Sequence, residues 1–308
     1  GVHKALASSH AIQGLLRSCP QIDPKDPNTF FKQRQCVWGK AIGRVVDHDR
    51  TASNPGYRES VGGIALGAQR RVGEGLFVET AVQYENQTID GDNFEQDGYQ
   101  VSAGLALKKE IGNLELSSSV AGGVYGYDHR RRYSNLGGSS SAGSNIYGRF
   151  AAIDARIAAL FESEGTYVKP SASIAVTRMW QDAFTEAGLG GLNWRVDSVN
   201  HTAVYVQPMV EVGQAFDLSG SDAVAFVRAG VSHQLTNPNV NVTTSLVGGA
   251  GVLDTLDLEV ATDRTRVAFE AGLYADVDDD LTLQFRVNTT LSSNSTEFGG
   301  QVQLRWNF

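Results

Sequence analysis

Residues 295–308 read STEFGGQVQLRWNF, with apolar and polar side chains in alternation. Successive side chains of a β-strand point to opposite faces, so this stretch predicts a strand with one apolar and one polar face. Residues 281–291 and 99–108 repeat the pattern. The apolar face carries Phe298, Val302, Leu304, Trp306 and Phe308, and the polar face carries Glu297, Gln301, Gln303, Arg305 and Asn307.

The period of two recurs along most of the chain and predicts an all-β fold. About twelve strands are expected, many of them longer than the five or six residues usual in soluble proteins. An even number of antiparallel strands can close into a barrel. The predicted strands lie near residues 37–47, 57–71, 75–87, 97–109, 113–128, 145–162, 165–181, 199–217, 222–236, 259–276, 280–292 and 295–308.

Short and long connections alternate between these strands, which is typical of an outer-membrane β-barrel with tight turns at one rim and long loops at the other. The alternation of side chains alone would also permit a soluble sandwich, so strand length and loop rhythm favour the 12-stranded antiparallel transmembrane β-barrel. Short turns are expected around Gly73, Gly112, Glu164, Gly220 and Asp278, and a short hairpin near Ser293. Long loops are expected at residues 48–56, 88–96, 129–144, 182–198 and 237–258.

Composition excludes several other classes of protein. A mean hydropathy of −0.21 and the lack of any run of roughly 18–20 uncharged apolar residues exclude membrane crossing by helices. A net charge of −8 argues against a nucleic-acid partner, which usually selects a basic face. The chain has no phosphate-binding glycine motif and no complete metal motif, so we predict no cofactor and no metal site.

In a barrel the polar strand faces line a lumen, and charges of both signs there indicate paired networks around water. Aromatic residues near predicted strand ends, where interfacial girdles belong, are Trp38, Tyr84, Tyr99, Tyr167, Trp180 and Trp306. The predicted pore-lining residues are Glu59, Glu79, Gln83, Lys108, Glu115, Asp154, Arg156, Lys169, Glu211, Arg228, Arg264, Arg266, Glu270, Gln284, Arg286 and Arg305.

Residues 2–17 do not alternate and are rich in good helix formers, so we predict an α-helix that ends before Pro20. Such a helix would extend about 24 Å, close to the roughly 25 Å apolar band of a barrel. It could therefore plug the lumen. A frayed linker or a helix on the soluble side is the alternative.

The two cysteines, Cys19 and Cys36, lie between this helix and the first predicted strand. In an oxidising periplasm we expect them to form a disulfide, which would hold the helix exit against that strand. The expected organisation is a helix and linker over residues 1–36 and a barrel over residues 37–308.

The helix, the twelve strands with their loop rhythm and the terminus Gln303-Leu304-Arg305-Trp306-Asn307-Phe308 together resemble the autotransporter β-domain family. The resemblance implies a monomeric pore in a Gram-negative outer membrane, with the helix in the lumen and a covalently attached upstream passenger domain exported to the cell surface. Trp306 and Phe308 imply assembly by the barrel assembly machinery, a signal shared with outer-membrane proteins generally. Lipid and lipopolysaccharide are the implied surroundings.

Two rival functions remain open, a stand-alone porin or adhesin barrel and an outer-membrane hydrolase using His48 or His129. Neighbouring His and Asp residues on a strand point to opposite faces, so solvated loop polarity is the simpler interpretation, and we predict no enzyme. The arginines at 130–132 could meet lipopolysaccharide phosphates or could simply solubilise a loop.

Overall fold

The structure is a computed structural model that describes residues 12–22, 31–51, 55–135, 138–248, 255–260, 262–278 and 280–308. Residues 12–15 are helical, and the rest of the helix predicted over residues 2–17 lies largely outside the described residues. Within the described ranges, no helix has the length and apolar character needed to span a bilayer.

Twelve long strands form one closed antiparallel barrel, which confirms the predicted fold class. A short strand, Phe161–Ser163, follows the sixth strand and pairs with the seventh. The barrel strands are β1 (Cys36–His48), β2 (Tyr57–Gly73), β3 (Leu76–Gly91), β4 (Phe94–Ile111), β5 (Leu114–Asn135), β6 (Gly138–Ala159), β7 (Thr166–Gln181), β8 (Val199–Leu218), β9 (Ser221–Gln234), β10 (Thr265–Asp278), β11 (Leu281–Leu291) and β12 (Ser295–Asn307).

The barrel closes where the last strand pairs with the first. β12 runs antiparallel to β1 from Ser295 opposite His48 to Asn307 opposite Cys36. Every other barrel strand pairs with its neighbour along the chain. Closure satisfies the ladder hydrogen bonds of all twelve strands, which matters because lipid offers no partner to an unpaired backbone group.

The two faces of the sheet are the reverse of those in a soluble protein. On β2 and β3 the exposed side chains include Ile64 and Val82, whereas Glu79, Gln83 and Glu85 are buried. The exposed apolar face suits hydrocarbon, and the buried polar face encloses the lumen.

Two of the predicted long loops are wrong, because pairing continues beyond the predicted strand ends. β3 runs to Gly91 and β4 begins at Phe94, so residues 88–96 form a tight hairpin rather than a loop. β5 and β6 likewise extend through most of residues 129–144. Polar cross-strand contacts support the extension, such as the hydrogen bond from Thr88 Oγ1 to Asp97 Oδ1 (2.9 Å).

The long connections after β7 and β9 hold a small four-stranded sheet, which the sequence did not predict. Its antiparallel strands lie in the order Phe184–Thr185, Trp194–Val196, Val240–Leu246 and Leu256–Val260. A bridge between Gly143 of β6 and Ala187 joins this sheet to the barrel. We call this end of the barrel the long-loop rim and the opposite end the short-turn rim.

The aromatic residues divide between the two faces. Trp306, Tyr84 and Tyr99 are exposed, as expected for a girdle, whereas Trp38 and Tyr167 are buried and point into the barrel. Trp38 lies two residues from the buried Cys36, and Tyr167 lies two residues from the buried Lys169, so both side chains face the lumen. The girdle prediction is therefore wrong for these two residues.

Gly67 of β2 provides a test of how the interior packs. A Cβ at this position would meet the ring of Trp38 and would lie 2.7 Å from Thr80 O, whereas a Cβ at Gly62 of the same strand would meet nothing within 4 Å. We expect Gly67→Ala to lower the free energy of unfolding by about 1–3 kcal/mol through overpacking. Gly62→Ala is the matched control.

Both variants are compared by the temperature at which the folded barrel changes its gel mobility. Gly67→Ala should shift this temperature downward and Gly62→Ala should not. Equal transition temperatures would contradict the packing described for Trp38.

Candidate functional site

The lumen contains a segment of the chain itself, which we call the lumenal insert (described residues 12–22 and 31–35). Ile12, Leu15 and Leu16 are almost fully buried. Facing residues of the barrel wall are small, and a Cβ at Gly104 would lie only 2.7 Å from Leu16 Cδ1. The same apolar cluster includes the wall alanines Ala65, Ala81, Ala106 and Ala121. The wall is therefore shaped to receive apolar side chains of the insert.

An ion pair holds the end of the helical segment against β6. Arg17 pairs with Asp154, and their side chains are 18% and 2% exposed. Asp154 also accepts a hydrogen bond from Ser119 of β5. Because the carboxylate has both partners, the buried charge is compensated.

Ser18 of the insert is held by three barrel strands. Its backbone N–H donates to Glu79 Oε1 of β3 (3.4 Å), its hydroxyl accepts from Lys40 Nζ of β1 (3.2 Å), and its carbonyl accepts from Gln303 Nε2 of β12 (2.9 Å). Lys40 and Gln303 lie opposite each other where β1 and β12 close the barrel. The insert is thus anchored at the closure itself.

A disulfide joins Cys19 of the insert to Cys36 at the start of β1. Both residues are fully buried. Between them Pro20–Ile22 pairs antiparallel with Phe31–Gln33. The cross-link ties the insert to the short-turn rim, where Cys36 also pairs with Asn307.

Gln33 connects this small hairpin to β4 and β5. Its backbone N–H donates to Glu110 Oε1 (3.0 Å) and its Nε2 donates to Glu115 Oε2 (2.9 Å). Gln69 Nε2 of β2 donates to Gln33 Oε1 (2.8 Å), and Lys108 Nζ donates to Gln69 Oε1 (2.7 Å) and to Glu79. A continuous polar network therefore fills the short-turn end of the lumen.

On the other side of the lumen, acids and bases alternate around the wall. Glu211 Oε2 accepts from Arg228 Nε (2.9 Å), Arg228 Nη2 lies 3.2 Å from Glu270 Oε1, and Arg286 Nη1 lies 3.3 Å from the same oxygen. Tyr167 donates to Glu211 Oε1 (2.7 Å). A cavity of about 160 Å³ separates this belt from Gln13, Gly14 and Arg17 of the insert.

The structure places nearly all the predicted pore-lining residues on the inner face. Arg264 differs, since β10 begins at Thr265 rather than at residue 259, and Arg264 is exposed before that strand. Half-buried are Glu115, Arg156, Arg228, Arg266, Glu270 and Arg286. Buried are Glu59, Glu79, Gln83, Lys108, Asp154, Lys169, Glu211, Gln284 and Arg305.

Sequence reasoning missed several residues of these networks. Lys40 and Arg44 alternate with Cys36 on the inner face of β1, and Glu85 alternates with Glu79 on the inner face of β3. The period of two could therefore have identified all three residues. Arg44 Nη1 donates to Glu85 Oε1 (2.9 Å). Ser18 carried no such signal, because its role depends on where the insert meets the wall.

His48 and His129, the residues considered for catalysis, lie at the long-loop rim and contact neighbouring side chains. His48 stacks on Tyr57 with ring centroids 4.8 Å apart. His129 Nδ1 lies 3.0 Å from Gln96 Nε2, and its Nε2 lies 3.8 Å from Glu186 Oε1. Among the described residues, no group of three or more His, Cys, Asp or Glu side chains could hold a metal ion.

The three neighbouring arginines at the long-loop rim are paired within the protein. Arg130 Nη1 and Arg132 Nη2 each lie 2.6 Å from a carboxylate oxygen of Glu95. Arg131 forms a bidentate pair with Glu186, at 3.0 Å and 2.7 Å. Glu186 Oε2 also accepts a hydrogen bond from the backbone N–H of Trp194 (3.0 Å). Arg131 therefore connects the four-stranded sheet to β5.

Asp263, just before β10, organises the hairpin between β11 and β12. Its carboxylate accepts side-chain hydrogen bonds from Ser292 and Ser293 (each 2.6 Å), Asn294 (2.7 Å) and Ser295 (3.1 Å). Burial alone would raise the pKa of Asp263, but the four hydrogen bonds outweigh it and lower the pKa to about 2.

A lowered folded-state pKa means that the Asp263 contacts stabilise the hairpin fully above the ordinary pKa of 3.8 and are lost as the pH falls toward about 2. The protection factors of the amides of residues 292–295, which compare their exchange with that of an unfolded chain at the same pH, should therefore be high down to about pH 4 and fall below it. Asp263→Asn should show low protection factors throughout this pH range. Protection that is equal in the two proteins at neutral pH would contradict this assignment.

Comparisons with known proteins agree with this geometry. The family model for the autotransporter β-domain matches residues 37–288. No curated protein sequence matches the chain.

Among solved structures, the translocator domain of the autotransporter NalP from Neisseria meningitidis is similar with a TM-score of 0.79 and 15% identity, covering 100% of this chain and 96% of that one. The β-domain of the Bordetella autotransporter BrkA is similar with a TM-score of 0.63 and 16% identity, covering 90% of this chain and 100% of that one. At these identities the similarity establishes the fold alone, a closed β-barrel. The family match places that barrel in the outer membrane of a Gram-negative bacterium. Because the family model spans most of the sequence, the chain belongs to the autotransporter β-domain family.

Proposed function

We propose that this chain is the translocator pore of an autotransporter, through which a covalently attached upstream passenger domain reaches the cell surface. The observation that carries the proposal is the path of the lumenal insert. It rises from Cys19 at the short-turn rim to Gln13, which lines the mid-lumen cavity together with Ser173 and Gln207. A chain that enters its own barrel in this way is connected through the pore to whatever precedes it.

In this arrangement the short-turn rim faces the periplasm and the long-loop rim faces outward. Trp306, on the outer face of β12, and Phe308, one residue beyond that strand, are 59% and 67% exposed at the short-turn rim. We propose that they present the assembly signal to the barrel assembly machinery. The closed hydrogen-bond ladder leaves no free barrel edge for a neighbour, which supports a monomer in the membrane.

The interior supports a pore that is closed at rest rather than an open porin. The insert, the Gln33 network and the acid–base belt occupy the lumen, and a cavity of about 160 Å³ lies beside the insert. A pairing of opposite charges around the wall also leaves the lumen without a single dominant sign, so a passing polypeptide of either charge meets no uniform barrier. We propose no enzymatic activity for the chain.

Export is tested with a protease-sensitive reporter placed behind a signal peptide and ahead of Gly1 in a Gram-negative host. We expect the reporter to be cleaved by protease added outside intact cells. The same reporter without this chain should stay protected in the periplasm. A reporter that remains protected although the barrel is folded and heat-modifiable would overturn the proposal.

The closed state is tested by single-channel recording in planar bilayers. Deleting residues 1–17 should raise the conductance markedly, because ions then cross the part of the lumen that the insert occupies. Arg17→Gln, which removes the ion pair to Asp154, should increase the frequency of open events. Arg58→Gln, which changes an exposed arginine on the outer face, is the matched control and should behave as the unaltered chain.

An unchanged conductance after the deletion would contradict the proposal that the insert closes the pore. It would favour a barrel whose lumen conducts around the insert. The same recordings separate the rival porin function, since a porin should already conduct strongly as the full chain.

A further inference from the structure

The outer face of β6 and β7 carries two arginines around one tryptophan. The guanidinium carbon of Arg149 lies 5.7 Å from the centroid of the Trp180 ring, and that of Arg178 lies 5.5 Å from it. Arg149 is the cross-strand partner of Trp180. Both arginines are exposed, and each therefore presents its charge outside the barrel.

This cluster lies at the end of the exposed apolar band on the outer face of the barrel. Exposed apolar residues of β7 run from Val168 to Val176, and Arg178 and Trp180 follow on the same face. Arg178 comes about ten residues after Val168, which matches the 9–11 residues of a tilted strand that spans a bilayer. On β6 the exposed Ile157 and Ile153 lead to Arg149 in the same way. The cluster thus stands at the interface nearer the long-loop rim.

Neither arginine has an acidic partner in the part of the protein that the structure describes. Within the ranges that the structure describes, Arg149 and Arg178 make their ring contacts with Trp180 and no hydrogen bond or ion pair. Asp182, exposed two residues beyond Trp180, forms no ion pair with either. The arginines at 130–132 behave in the opposite way, since all three pair with Glu95 or Glu186.

We propose that Arg149, Arg178 and Trp180 form a binding site for the phosphate groups of lipopolysaccharide in the outer leaflet. A planar guanidinium binds a phosphate through two parallel hydrogen bonds, and the tryptophan ring holds both side chains in place. Asn200 and Thr202 of β8, exposed beside Trp180 and Arg178, add polar groups. The apolar face below them receives the acyl chains. The assignment to the outer leaflet rests on the proposed orientation of the barrel.

The test uses the full chain folded in detergent micelles and bisphosphorylated lipid A as the probe, with binding followed by native mass spectrometry. We expect Arg149→Gln combined with Arg178→Gln to weaken binding roughly tenfold or more, given the contribution of each arginine near an anionic lipid. The matched control, Arg130→Gln combined with Arg132→Gln, removes two arginines of the same rim and should leave affinity within about twofold.

Dephosphorylated lipid A should bind the unaltered chain about as weakly as bisphosphorylated lipid A binds the double variant. Unchanged affinity of the Arg149/Arg178 variant, an equal loss in the control, or equal binding of both lipids would overturn the proposal. Displacement by inorganic phosphate alone would instead identify free phosphate as the ligand and overturn the lipid assignment. Binding in micelles does not depend on orientation or export, so a failure of the translocator proposal is detected separately.

Discussion

An unpaired backbone N–H or C=O in hydrocarbon costs several kcal/mol, because lipid offers neither donors nor acceptors. The pairing of β12 with β1 removes the last open edge, from Ser295 opposite His48 to Asn307 opposite Cys36. Once the cylinder is sealed, every strand has one face toward lipid and the other toward the lumen. The apolar exterior and the polar interior are both consequences of that closure.

A sealed lumen then imposes a second constraint, since its polar side chains are partly removed from bulk water and need partners. The barrel meets this need in two ways. Acids and bases face one another across neighbouring strands, as Glu211, Arg228 and Glu270 do. The insert supplies further partners, since Ser18 forms hydrogen bonds with residues of β1, β3 and β12 at once. The insert is therefore part of the interior chemistry as well as an obstacle in the pore.

Different contacts stabilise the two rims of the barrel. At the short-turn rim the Cys19–Cys36 disulfide and the Gln33 network join the insert to the wall. At the long-loop rim the strands extend beyond the membrane as polar hairpins, and internal ion pairs such as Arg131 with Glu186 hold the additional sheet. By contrast, Arg149 and Arg178 have no ion-pair partner among the described residues, and both face the surroundings of the barrel.

The sequence by itself determined the all-β class, the number of long strands, most strand positions and most of the charged side chains that face inward, because a period of two is a local property that survives any arrangement of the strands. It could not determine that β3 and β4 continue through residues 88–96, since polar hairpin residues have no apolar face to mark them. It also could not place Ser18, whose partner Gln303 comes from a distant part of the chain. The alternation that puts Trp38 on the inner face did not reveal that its ring packs on Gly67 of the neighbouring strand. Only the tertiary structure decided how the insert meets the wall and which arginines form ion pairs within the protein, because both depend on register and closure between strands far apart in sequence.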